Sequence, residues 1–129
     1  VLNNGNLVLV KHWVRTFGGK NKRPAGHALK TLGECIELAF AAGASMKEVL
    51  ATCAAEIEKA EKKGEITCKF NRDQFREEMA DVLILLAVLA LHNDINTDRE
   101  VTEKIATLMS RTWEVDPDGV LRRPGRLNS

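Results

Sequence analysis

The chain has 129 residues, 44% hydrophobic and 29% charged, with a net charge of +1. That length suits one domain with a real core, and the near-neutral balance argues against a dedicated nucleic-acid or membrane-surface binder. No run of about 18 apolar residues exists to span a bilayer, and no signal-peptide pattern opens the chain. The cysteines Cys35, Cys53 and Cys68 are odd in number, far apart and without a Cys-x-x-Cys, so a reduced, cytoplasmic setting is expected. Cys35 and Cys53 fall on helical stretches, where a small buried thiol is the ordinary role.

Leu7, Val10, Trp13 and Phe17 recur at helical spacing until Gly18-Gly19 stops the run, with a strand as the alternative reading of Leu7-Val8-Leu9-Val10. After a basic loop, Lys20 to Arg23, Pro24 stands at a first helical position. Leu29, Leu32, Ile36, Ala39 and Phe40 then form one apolar stripe, closed by Gly43. Ser45-Met-Lys-Glu48 is a capping box for a third helix that turns Leu50, Cys53, Ala54 and Ile57 inward and ends at Gly64. Ile66, Cys68 and Phe70 alternate as a short extended link. Asn71 with Gln74 caps a long helix running to about Asn93, and Thr97-Asp-Arg-Glu100 opens a last one with Val101, Ile105, Leu108 and Met109 inward. Near the end, Pro117-Asp118-Gly119 between two short alternating segments predicts a small hairpin. The expected architecture is all-α, a four- to five-helix bundle with a short C-terminal hairpin or extended tail. It forms a single domain over 1–129, with 1–6 and 122–129 flexible at its ends.

The long helix is the unusual element. From Val82 to Leu91 it is apolar on every side, the pattern of a buried central helix. Yet Glu77, Glu78 and Asp81 sit at its head, and Glu78 and Asp81 share the strip that continues through Leu85 and Val88 toward His92. Carboxylates pointing where apolar residues point must protonate, pair with a base or hold a metal. Glu34-Cys-Ile-Glu37 on the second helix repeats the i, i+3 spacing, so two helices side by side could present Glu34, Glu37, Glu78 and Asp81 as one oxygen-lined cluster suited to a hard divalent cation. The plainer reading makes these surface acids that favour helix N-termini. His12, His27 and His92 have no acid at the spacing a di-iron bundle uses.

Leu32-Gly-Glu34-Cys-Ile-Glu37-Leu38 followed by Glu77-Glu78-Met-Ala-Asp81-Val-Leu-Ile-Leu-Leu resembles the ExxE…ExxD signature of the MazG-like all-α nucleoside triphosphate pyrophosphohydrolases. The likeness covers roughly residues 13–113. The chain departs from the pattern at Gly33, where the family often has a further acid, and in the longer gap between motifs, which leaves the subfamily open. The resemblance implies Mg²⁺-dependent hydrolysis, with Mn²⁺ as a substitute ion, of the α–β phosphoanhydride of a (deoxy)nucleoside triphosphate. The products are the monophosphate and pyrophosphate, as in nucleotide-pool house-cleaning.

On the same resemblance Glu34, Glu37, Glu78 and Asp81 are metal ligands, or, for one glutamate, the general base. Lys104 and Arg111 on one flank of the last helix, with Lys30 as a weaker candidate, hold phosphate. Trp13 offers a stacking surface, core packing being its alternative role. A homodimer or homotetramer is expected, with neither nucleic acid nor membrane as partner. The alternatives are a non-catalytic oligomerisation or partner-binding module and a phosphoribosyl-ATP pyrophosphohydrolase-like activity.

Overall fold

Proline, glycine and short polar caps set the boundaries of the elements. The computed structural model describes residues 2–125. Among them are α1 (Asn4–Phe17), α2 (Pro24–Ala41), α3 (Met46–Lys62), α4 (Arg72–His92), α5 (Thr97–Met109) and a hairpin of β1 (Glu114–Val115) and β2 (Leu121–Arg122). The fold is all-α, as the periodicity requires, and no helix among the described residues is long and apolar enough to cross a membrane. The chain resolves into two compact units, Val1–Arg23 with Asn71–Ser129, and Pro24–Phe70.

The contiguous unit is the α2 and α3 hairpin with the link that follows it. Pro24 opens α2. At its end the turn is closed by Gly43 at φ 98°, whose N–H donates to Phe40 O, and by Ala44 N–H donating to Ala39 O. The capping box of α3 is complete: Ser45 Oγ accepts from Glu48 N–H at 3.1 Å and Glu48 Oε1 from Ser45 N–H at 2.9 Å. These bonds to Ser45 hold the Glu48 carboxyl below its ordinary range. Residues 65–70 form no strand, and Cys68 adopts a left-handed φ of 58°.

The discontinuous unit is held by α1 against α5 and by the hairpin. Asn3 caps α1 by accepting from Asn6 N–H at 2.8 Å. The Asn6 side chain, only 2% exposed, donates to Asp98 O at 2.9 Å and accepts from Thr102 Oγ1 at 2.8 Å. Asn3 N–H adds a bond to Asp98 Oδ1 at 2.8 Å. The stretch placed with the loose ends thus contains a helix cap and a buried amide whose hydrogen-bonding groups are partnered. The cap of α5 is Asn96, accepting from Arg99 N–H at 3.1 Å, one residue before the expected Thr97. Asn is the stronger N-cap of the two.

The hairpin forms where the Pro-Asp-Gly turn predicts it, pairing Glu114 with Arg122 and Val115 with Leu121. Asp116, 7% exposed, organises it. Its Oδ1 accepts from the N–H groups of Asp118 and Val120, both at 2.9 Å, and its Oδ2 from Arg122 Nε at 2.7 Å. The Arg122 guanidinium above all, against the opposing effect of burial and with help from the Val120 and Asp118 amides, holds the Asp116 carboxyl below its usual range. Gly119, at φ 90°, faces the Lys20 carbonyl so closely that a Cβ has no room, and Lys20 N–H donates back to Gly119 O at 2.9 Å. Arg23 reaches Asp118 Oδ2 at 3.2 Å, so the basic loop is tied down at both ends. Ile105, Val120 and Leu121 are the buried apolar residues here. The expected loose tail begins at 122, yet Arg122 is anchored to Asp116; positions 126–129 of that tail, and Val1, lie outside the described residues.

The helix α4 differs from its expected role. It forms over the predicted span, with Asn71 Oδ1 accepting from Gln74 N–H at 3.2 Å, but none of its residues is buried. Leu91 is 77% exposed, Leu85 63% and Ile84 61%. Within its unit α1 and α5 spend their apolar stripes on each other. A uniformly apolar helix needs partners on all sides, and α4 keeps open faces.

Candidate carboxylate and phosphate site

The two acid pairs are set by helical geometry alone. Glu34 and Glu37 lie on α2 and Glu78 and Asp81 on α4, each pair one turn apart and so on one side of its helix. All four are exposed, which leaves their oxygens open to solvent and ions. The chemistry of the donors suits a small hard cation, which takes one or two carboxylates and completes its shell with water and phosphate oxygens. The pairs belong to different units. Within neither unit do three or more His, Cys, Asp or Glu side chains of the described residues gather into a group that could hold an ion.

Glu34 accepts an ion pair from Lys30 Nζ at 3.6 Å, an exposed i, i+4 contact. Such a pair contributes at most about 0.5 kcal/mol, so Lys30 remains available to an anionic ligand. Glu77 is exposed beside Glu78, and His92 sits at the last position of α4.

The basic candidates fare differently. Lys104 is exposed on α5, as expected. Arg111 does not share that helix: α5 stops at Met109 with Ser110 as its C-cap, and Arg111 follows in the bend, partly buried. The seven-residue spacing assumed one unbroken helix, and the turn at Ser110 removes that relation. Trp13 packs edge-on against Trp113, ring centroids 5.0 Å apart at 81°. Trp113 Nε1 donates to Leu108 O at 2.8 Å, whereas Trp13 Nε1 is buried without an acceptor among the described residues. The pair joins α1 to the segment after α5, which is the packing role open to Trp13 from the start.

Sequence reasoning gave Cys35 and Cys53 the ordinary role of small buried thiols. Both are part-exposed rather than buried, and they line one cavity between α2 and α3. The available signal was their placement at similar distances on either side of the Gly43 turn, which makes them neighbours in an antiparallel helical hairpin. Compared with known protein families, curated proteins and solved structures, the chain finds no match.

Proposed function

We propose that the chain is a Mg²⁺-dependent nucleoside triphosphate pyrophosphohydrolase that cleaves the α–β phosphoanhydride of a (deoxy)nucleoside triphosphate in the cytoplasm. The observation that carries this reading is the repeated carboxylate pair, Glu34 with Glu37 and Glu78 with Asp81, one pair on each of two helices and every member open to solvent. Either pair, within its own unit, would hold the ion through one or two carboxylates. When bound, it supplies charge neutralisation at the phosphate oxygens and a more acidic water.

The chain's own groups do the rest. A carboxylate of the set accepts the proton of the attacking water, which requires it to lie within hydrogen-bond reach of that water. Lys104 and Lys30, each exposed on its own unit, supply positive charge that offsets phosphate charge. Little covalent chemistry is asked of the protein, because phosphoryl cleavage depends mainly on positioning and charge.

The assembly in this reading is a homodimer or homotetramer. Its support is α4, whose Ile84, Leu85 and Leu91 are open in the single chain. The same open helix favours a second reading, a non-catalytic oligomerisation module whose acids are inert.

Incubating the full chain with a panel of nucleoside triphosphates and Mg²⁺ distinguishes the readings. The enzyme releases pyrophosphate and the monophosphate, and Mg²⁺ raises its melting temperature. Glu78→Gln and Asp81→Asn each reduce turnover by at least about 100-fold and leave the helical circular dichroism spectrum unchanged. Absence of any hydrolysis in well-folded protein, or release of free phosphate from the γ position, would sink the proposal.

A further inference from the structure

The α2 and α3 hairpin forms an open groove of about 310 Å³ that the carboxylate reading does not use. Cys35, Ile36 and Ala39 line it from α2, and Glu48, Thr52 and Cys53 from α3. The connection between the helices is short, which makes them antiparallel neighbours. Residues at similar distances from the turn therefore meet across the groove, and Cys35 and Cys53 lie toward the same end of it. Both thiols are free and part-exposed, so an ion can reach them from solvent.

The donor set defines the ligand. Two sulfurs across a gap suit a soft, thiophilic cation. Zinc would want four ligands, and no group of three or more His, Cys, Asp or Glu donors forms among the described residues. Glu48 adds a negative wall, but its Oε1 is engaged with Ser45 N–H in the capping box. What the pair offers is two-coordinate.

We propose that Cys35 and Cys53 form a two-sulfur site for a thiophilic monovalent cation of the copper(I) type. Binding forms two metal–sulfur bonds and releases the two thiol protons to solvent, leaving an anionic bis-thiolate complex. No electrons are transferred. The site stands independently of the hydrolase reading, since it uses none of the four carboxylates.

Silver(I), which is thiophilic and stable in air, is the probe. Native mass spectrometry of the full chain should show one tightly held silver per chain, with a charge-deconvoluted mass gain of one silver less one proton. Cys35→Ser and Cys53→Ser each weaken that binding by about 100-fold or more, the advantage of holding one ion from two linked donors. Cys68→Ser leaves it unchanged. Circular dichroism establishes that the variants fold. A second measurement needs no variant: silver protects Cys35 and Cys53 together from alkylation while Cys68, exposed in the link after α3, reacts at its usual rate. Three equivalent silver ions per chain, equal protection of Cys68, or an ion held between sulfurs of two different chains would each overturn the proposal.

Discussion

The corner where α1, α5 and the hairpin meet and the helix α4 reverse the usual relation between hydropathy and burial. The corner hides polar groups: Asn6 and Asp116 are more buried than any leucine of α4. Each succeeds because its hydrogen-bonding atoms are matched, Asn6 by Asp98 and Thr102, Asp116 by two amides and a guanidinium. The apolar α4 has no comparable set of partners in its unit, and its side chains stay open. Burial follows the supply of partners, and hydropathy only states the demand.

That contrast can be broken most sharply at the hairpin. Gly119→Ala places a Cβ against the Lys20 carbonyl at a positive φ, and it should cost about 3 kcal/mol, read as a lowered denaturation midpoint with an unchanged slope. Wild-type stability in that variant would mean that the loop at Lys20 moves aside freely.

A smaller, pH-dependent effect is expected at Asp116. Its folded pKa is depressed, so the stabilisation is present above the unfolded value of about 3.9 and is lost as pH falls through the lower folded value. The melting temperature of the wild type should therefore exceed that of Asp116→Asn at neutral pH, and the difference should shrink in acid below about pH 4. A constant gap across that range would point to shape rather than charge.

The smallest effect on the single chain belongs to α4. Leu91→Glu, at 77% exposure, should change intrinsic stability by less than about 0.5 kcal/mol. The same change should lower the molecular mass seen in sedimentation if this face joins copies. A large loss of stability without a change in mass would show that α4 is covered within its own chain.

What the sequence made legible was local. The caps at Ser45 and Asn71, the start at Pro24 and the turn at Gly119 each depend on residues within a few positions of one another, and all appear as expected. The Asn96 cap was misplaced by one residue because Thr97 completes a similar pattern. The clasp of Asn6 on Asp98 spans 92 positions and left no periodic trace. Arg111 was misassigned for a related reason: a helix end at Ser110 has no proline or glycine to announce it. The spacing of Glu34 with Glu37 and of Glu78 with Asp81 was readable because the helix fixes it, whereas the packing of Trp13 on Trp113 is a long-range choice that composition does not encode.

The discontinuous unit has a consequence for synthesis. Its α1 is made well before its partners in α5 and the hairpin, with Arg23 and Asp118 meeting across 95 positions. The α2 and α3 hairpin can form as soon as residues 24–70 have left the ribosome, while α1 must wait for Leu121 before its unit closes. During that interval the apolar face of α1 is uncovered, and the nascent chain stays vulnerable to aggregation until the hairpin is made.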